Sequence, residues 1–433
     1  MLVSLLLPSA LALTLDEAWT AAETGSQELA ILHEQTVAAE TLRGQAWSVV
    51  QPKIVAGANY TYNQRPIELA FDFASFLTPE SADQLAAFGV EFAEAEPIVI
   101  QKQAYFDWNV SIIQPIFSAD SLPLLNGASQ VVKAARATEQ AKRAEVRTGI
   151  AKAYWGVVAA REGEKVAGQA LENARGHLKM AEVTTAVGTA APTVKLQAEL
   201  GVARAQRQLA SAHESVVVAE QAFARLTGLP ADTTLAMPEP RSVPYATGDE
   251  AIVRALAQRP DLDAADYQAQ AARNELRART LGWLPVVDGR FTEAWSQNTG
   301  FSGEAYTWMV VLRANWTLWD GGYRIAKSNE AASQARQADL YSVVLREQTT
   351  ERVRGLWEQH GRAEAAVVAV ATEIALAEEN LRLAEAAFGV GSLSYLEVED
   401  ARLGLEASRI SALSERMTAD TSAIELLAAT GDL

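Results

Sequence analysis

Two stretches of this chain spell the same pattern twice. Asp16-Glu17-Ala18 reappears as Asp249-Glu250-Ala251, and at the same offset of 233 residues Ala22 matches Ala255, Leu29 matches Leu262, Ala38-Ala39 match Ala271-Ala272 and Pro52 matches Pro285. Further along the offset becomes 203: Val187-Gly188 matches Val390-Gly391, Ala198 matches Ala401, Leu200-Gly201 match Leu403-Gly404, and Thr227-Gly228 match Thr430-Gly431. A 433-residue chain that repeats itself once is two copies of one unit, so each structural element has a counterpart. The copies are read as residues 14–228 and 249–433, joined by a linker, 229–248, that holds Pro230, Pro238, Pro240 and Pro244. The change of offset places about thirty extra residues in the first copy. Residues 63–104 supply them, with Pro66, Pro79, Pro97 and seven acids from Glu68 to Glu96, where the second copy has only the short link from Ser296 to Tyr306; this is read as a loop.

No proline follows Pro285, which leaves 148 residues rich in Ala, Leu, Glu and Arg. Such a run suits very long helices, because an interior proline removes a backbone donor and clashes with the preceding turn. Each copy is expected to open with one helix, Leu15 to Ser48 and Glu250 to Leu281, stopping before Pro52 or Pro285. Each is then expected to end in a long helical hairpin, 128–227 and 326–430. Sixty helical residues span roughly 90 Å, beyond a usual globular helix. Val367, Val370, Ile374, Ala377, Leu381, Ala384 and Phe388 step by three and four, as do Leu171, Ala174, Leu178 and Ala181 in the first copy. On the return helix Leu396, Leu403, Ile410, Met417 and Ile424 recur every seven residues. Both stripes read as coiled-coil packing.

Between helices the period changes to two. In 308–319, Trp308, Val310, Leu312, Ala314, Trp316 and Leu318 alternate with Met309, Val311, Arg313, Asn315 and Thr317. Its counterpart, 105–117, sets Phe106, Trp108, Val110 and Ile112 against Asp107, Asn109 and Ser111. The partner strands are 53–62, with Asn59 and Thr61 against Tyr60 and Tyr62, and 286–295, with Asp288, Arg290 and Thr292 against Phe291 and Trp295. Ten-residue, apolar-out and polar-in strands bounded by aromatics are the pattern of a transmembrane β-barrel. A half-buried sheet of a water-soluble domain shows the same alternation. On the barrel reading the polar residues line the lumen, and Tyr60, Tyr62, Phe106, Trp108, Phe291, Trp295, Trp308 and Trp316 face lipid.

Four strands cannot close such a barrel, since about eight is the smallest common number and an open edge in lipid is prohibitive. Strands must be pooled: two chains would give eight and three would give twelve, and a conduit favours three because an eight-stranded barrel is filled by side chains. The expected fold is therefore a mixed α and β membrane protein, a trimeric channel-tunnel. A shared twelve-stranded barrel would be continued by an α-helical barrel.

Residues 1–13 read as the remnant of a secretory signal, a short apolar run ending in Ala10-Leu11-Ala12; a fraying apolar N-terminus is the alternative. With no cysteine the chain has no disulfide, thiolate metal site or lipid-modified N-terminal Cys. A net charge of −17 with dispersed cations argues against nucleic acid. His33, His177, His213 and His360 lack metal-ligand spacing, and no nucleotide or zinc-protease motif is present, so neither cofactor nor catalysis is expected.

Leu15-Asp16-Glu17-Ala18, Gln114-Pro115-Ile116-Phe117, Trp319-Asp320-Gly321-Gly322 and the turns after Gly188 and Gly391, in this order and duplicated, resemble the TolC-type outer-membrane efflux family over nearly the whole mature chain. The resemblance implies a homotrimer in outer-membrane lipid with a periplasmic helical extension. Its partners would be a periplasmic adaptor and an inner-membrane transporter of RND, MFS or ABC type, in multidrug efflux or type I secretion. It implies that Gly188, Thr189, Gly391 and Ser392 form the hairpin turns at the adaptor-docking end, and that Glu397 and Asp400 stand as acidic rings at the periplasmic entrance, with a solvated acidic face beside Glu399 as the plainer reading. The family's polar lock falls here on Val194, Phe388 and Leu393, so any lock would be apolar packing. The rival from another class is a periplasmic coiled-coil scaffold with no barrel.

Overall fold

Proline and glycine set where the helices of this chain begin and end. The computed structural model describes residues 12–69, 78–89, 97–188, 191–300, 302–390, 392–393 and 395–433. In chain order the elements are α1 (Leu15–Gly25), α2 (Gln27–Trp47), β1 (Lys53–Tyr62), β2 (Ile67–Leu69), α3 (Pro79–Ala87), β3 (Ile98–Gln101), β4 (Ala104–Phe117), α4 (Ser121–Ala186), α5 (Pro192–Thr227), α6 (Gly248–Gln258), α7 (Pro260–Leu281), β5 (Val286–Ser296), β6 (Tyr306–Asn315), α8 (Tyr323–Gly389) and α9 (Tyr395–Thr430). Helix α8, at 67 residues, occupies the proline-free run. Helix α4 starts seven residues before the boundary expected at 128, because Pro123 falls in the first turn, where no intrahelical donor is needed.

Three expectations are corrected. The single opening helix of each copy is two helices, broken at Ser26 and at Arg259, both extended (ψ 119° and 122°) and 233 residues apart. Pro260 enforces the second break, since the residue before proline is pushed out of helical space. The inserted loop is not bare: β2 pairs antiparallel with β3, and α3 lies between them. Leu13, assigned to the signal remnant, belongs to the fold; residues 1–11 lie outside the described residues. Its N–H donates to the Thr234 carbonyl at 2.8 Å, and its own carbonyl accepts from the Ala236 N–H at 2.9 Å.

The chain divides into two compact units. The larger contains residues up to 40, 130–269 and 336–433. Here the duplication is visible as a repeated cap and a repeated core. Thr14 caps α1, accepting from the Glu17 N–H at 3.3 Å, while Glu17 accepts from the Thr14 N–H at 2.8 Å, a reciprocal capping box. Those hydrogen bonds, from the Thr14 backbone first, hold the Glu17 carboxyl below its usual range. Thr247 and Glu250 repeat the capping at offset 233. Ala18 and Ala22 pack with Ile150 and Phe223 in one cluster; Ala251 and Ala255 pack with Val353 and Leu426 in the other. The helix-to-helix offset is 233 and the hairpin offset 203, so the two clusters repeat one arrangement, the first also taking in Ile424 of the second copy. At the end of each hairpin the backbone turns left-handed, at Gly228 (φ 73°) and Gly431 (φ 86°), directly against the end of α1 or α6.

Tyr154 ties the linker to this core. It is fully buried, packs edge-on against Phe223 at 5.9 Å, and its hydroxyl lies 2.6 Å from the carbonyls of both Leu13 and Ala236. Burial pushes its pKa up to about 12. A raised pKa means that the stabilisation is complete below the ordinary value of 10.0 and is lost as pH rises from there through about 12. Titration of tyrosinate absorbance is therefore expected to show two lagging phenols, Tyr154 and Tyr245, the latter also pushed to about 12 by burial. Tyr154→Phe should remove one of them and cost about 1 kcal/mol of stability. A variant in which two phenols still lag contradicts this.

The heptad reading of α8 and α9 needs one revision. Val370 and Ala384 are buried on α8 and Ile424 of the expected stripe is fully buried on α9, but toward the hairpin turn the buried seam of α9 is Val398, Ala401, Leu405 and Ser408. Leu403 and Ile410 are instead 46% and 40% exposed, so α9 carries a second apolar stripe that this protomer leaves uncovered.

Candidate functional site

The smaller unit, residues 41–129 and 270–335, holds a four-stranded antiparallel sheet of order β1-β4-β5-β6. Its register decides which side chains share a face. Asn59 stands opposite Asp107, Ser111 opposite Thr292, and Asp288 opposite Arg313. All three pairs are joined: Asn59 Nδ2 donates to Asp107 at 3.0 Å, the Ser111 and Thr292 hydroxyls meet at 2.9 Å, and Arg313 reaches the Asp288 carboxylate at 3.0 Å. Thr61, Asn109, Arg290 and Asn315 have the parity of this polar face. Tyr60, Tyr62, Phe106, Trp108, Phe291, Trp295 and Trp308 take the other face. There Phe106 and Trp295 lie 6.3 Å apart, and Trp108 meets Tyr306 edge-on at 6.0 Å. Polar ladders on one side and aromatic contacts on the other are what alternation with period two produces.

Two residues expected in the last strand are not in it. The ladder ends at Asn315, because β5 starts at Val286, the partner of Asn315, and offers nothing beyond. Trp316 therefore leaves the lipid-facing row; its indole N–H donates to the Trp283 carbonyl at 3.0 Å. Thr317 leaves the lumen row; its carbonyl accepts from the Arg324 guanidinium, which also pairs with Asp320 at 2.7 Å and stacks on Trp283 at 4.3 Å. Gly321 and Gly322, both at positive φ (71° and 88°), then turn the chain into α8. Two charged residues were missed: Lys53 has the parity of the polar face, and Glu293 that of the apolar face, opposite Val110 and Trp308. Lys53 opens its strand, so alternation alone does not assign it; Glu293 breaks the alternation and is exposed.

At the hairpin ends, Gly188 turns with φ 76°, while Thr189 and Gly391 lie outside the described residues. The Ser392 N–H and hydroxyl both donate to the Ala387 carbonyl, at 3.0 and 2.9 Å, closing the end of α8. Helix α5 starts at Pro192 with no side-chain cap, and Val194 in its first turn is exposed, as is Phe388; Leu393 is half-buried. Within the protomer the apolar packing at this end is made by Leu381, Ala384, Val398 and Ala401. Glu397 and Asp400 are both exposed, three apart on α9, where an acid in the first turn also complements the helix dipole.

Glu399 is not part of a solvated acidic face. It is 1% exposed, accepts from Arg402 at 3.1 Å, and lies 3.9 Å from His177 Nε2 on α4, while Arg402 also reaches Glu385 at 3.1 Å. This cluster joins the first copy to the second, and only Arg402, three residues on, hinted at it. His213 pairs with Glu164 at 2.7 Å and His360 with the Ser422 hydroxyl at 3.1 Å. Among the described residues no helix is long and apolar enough to cross a membrane.

Compared with known proteins, the chain matches the family model described as outer membrane efflux protein over residues 21–229 and 251–432, two segments that follow the two copies. No curated protein sequence matches it. Among solved structures it is similar to CusC, described for conformational changes accompanying folding and transmembrane channel formation. The TM-score is 0.75 at 15% identity, covering 96% of this chain and 92% of that one. It is similar to the outer membrane protein VceC of Vibrio cholerae (TM-score 0.72, 18% identity, 96% of each chain). It is also similar to the open state of the MtrE outer membrane channel of Neisseria gonorrhoeae (TM-score 0.70, 17% identity, 96% of this chain and 88% of that one).

Proposed function

The chain belongs to the outer membrane efflux protein family, and from that premise we propose that three copies pool their sheets into one twelve-stranded outer-membrane barrel and their hairpins into a periplasmic α-helical tunnel. The observation that carries this is the open sheet: one polar face, one aromatic face, and unpaired edges at β1 and β6. An edge strand in hydrocarbon leaves a row of unsatisfied amides and carbonyls, so the sheet must be closed by other copies. The uncovered stripe of Leu403 and Ile410 fits the same need for neighbours. The family match sets aside a scaffold without a barrel.

The assembled channel would be a passive conduit from periplasm to exterior, since the sequence carries no nucleotide-binding motif to supply energy. Opening would come from an adaptor docking near Gly188 and Ser392 and from an inner-membrane pump of RND, MFS or ABC type, serving multidrug efflux or type I secretion. Glu397 and Asp400, threefold repeated, would give six carboxylates at the entrance and raise the local cation concentration. Extraction of the chain from outer membranes in detergent, its mass in solution and its conductance in planar bilayers test the reading. Trimers that conduct support it; a monomer in the aqueous periplasmic fraction overturns it.

The lock is proposed as apolar. Val194 and Phe388 are both partly exposed on the protomer, apolar surface that neighbouring copies would cover at a narrow aperture. Leu393→Lys or Val194→Lys is expected to raise single-channel conductance several-fold by introducing like charges that repel about the axis. Unchanged conductance in both would remove this aperture from consideration.

A further inference from the structure

The polar face of the sheet is unevenly charged. Lys53, Ile113, Arg290 and Val311 stand side by side in one row across β1, β4, β5 and β6. Lys53 and Arg290 are thus two strand spacings apart, about 10 Å. Neither has an ion-pair or hydrogen-bond partner among the described residues. The adjacent row toward the helices holds Asp288 with its partner Arg313 at 3.0 Å; the row on the other side, Val55, Ser111, Thr292 and Met309, is uncharged. The helix-side end of this face therefore carries three cations against one carboxylate that is already engaged. The other acid on the face, Asp107, is opposite Asn59, six residues along β1 from Lys53 and so about 20 Å away. The edge strands offer no compensation. Neither β1 nor β6 contains an acid, so no register in which one copy's β6 joins the next copy's β1 brings a carboxylate to the row.

From this placement we infer that the assembled barrel holds, at its helix-side end, a ring of cations formed by Lys53 and Arg290 that binds multivalent anions: phosphorylated, sulfonated or polycarboxylated solutes. The inference rests on the trimeric barrel proposed above, which sets six unneutralised cations at one height. Inside a lumen walled by protein and lipid their field is focused rather than screened, the arrangement by which anion pores select. The ring opposes the acidic entrance in sign, so a cargo meets carboxylates first and ammonium and guanidinium groups later. Arg290 supplies planar, bidentate recognition of an oxyanion, and Lys53 a mobile point charge.

The test is calorimetric titration of the detergent-solubilised full chain with inorganic tripolyphosphate, its oligomeric mass measured in the same buffer. Expected are one binding event per three chains, affinity that falls as salt is raised, at least tenfold weaker binding by the Lys53→Gln/Arg290→Gln double variant, and binding kept by the charge-conserving Lys53→Arg/Arg290→Lys pair. Trimers that bind no tripolyphosphate, or bind it equally well in the neutral double variant, overturn the cation ring while leaving the trimeric reading intact. Monomers in solution overturn both.

Discussion

Gly228→Val is expected to destabilise the helical unit by about 2–5 kcal/mol, a large share of the stability of a marginal protein. Two separate costs add. Gly228 has φ 73°, a left-handed conformation that costs a residue with a Cβ about 1–2 kcal/mol. The Cβ itself would stand 2.7 Å from the Gly25 carbonyl oxygen, 2.9 Å from its carbon and 3.0 Å from its Cα. These are backbone atoms at the end of α1 and cannot rotate aside, and overpacking of this kind costs about 1–3 kcal/mol, often more. The crossing is reciprocal, because a Cβ on Gly25 would meet the Thr227 carbonyl at 2.6 Å. The second copy repeats the crossing more loosely: Gly431 faces the Gln258 carbonyl at 3.0 Å, so Gly431→Ala should be milder than Gly228→Ala. Gly201 and Gly404 are the controls, both inside helices with nothing within 4 Å of a built Cβ; Gly→Ala there should be neutral or stabilise by up to about 1 kcal/mol. Thermal unfolding followed by circular dichroism in detergent reads all of these. A Gly228→Val protein within about 1 kcal/mol of the parent would show that the close crossing is not needed.

Asp420→Leu is the second substitution with a large expected effect, about 3–5 kcal/mol. Asp420, almost fully buried on α9, accepts from the Trp155 indole N–H on α4 at 2.6 Å and from the Arg241 backbone N–H in the linker at 2.8 Å. One carboxylate thus binds the first copy, the second copy and the segment between them. Leucine fills similar space but leaves both donors without an acceptor, and each unsatisfied buried donor costs about 1–3 kcal/mol. Asp420→Asn keeps one acceptor oxygen and should lose less. Trp155→Phe in the Asp420→Leu background removes one stranded donor and should recover part of the loss, a coupling that a double-mutant cycle reads directly. Strict additivity of the two single losses would mean that the pair does not act as a unit.

Much of the architecture could be read from the residues because the signals were periodic. The polar and apolar faces of the sheet follow from alternation that holds for ten residues at a time, and the register gathers the expected polar residues of the four strands on one side, with Glu293 the charged exception. Alternation overran at Trp316 and Thr317, since the apolar and polar sequence continues while the ladder stops; what stops it is the start of β5 at Val286, which offers no partner beyond Asn315, and the Thr317 carbonyl then goes to Arg324. The break at Ser26 was hidden because neither Ser26 nor Gly25 forbids a helix; the need for Gly25 comes from the backbone carbonyl of Thr227. The stripe of Leu403 and Ile410 was read as the seam of the hairpin because a seven-residue period cannot say which neighbour it serves. Glu399 was unreadable for a related reason: its burial depends on His177, which belongs to the other copy of the repeat.

The sheet with two open edges also fixes an order of events. A lone protomer presents β1 and β6 unpaired and cannot enter hydrocarbon without leaving both edges unsatisfied. Folding of the helices can run at the rate of a single chain, but on the trimeric assembly proposed above, crossing into the bilayer has to await the meeting of three chains and then proceed as one act. Insertion should therefore depend steeply on how much protein is present, and cells that make too little would accumulate folded helices beside an unfilled membrane.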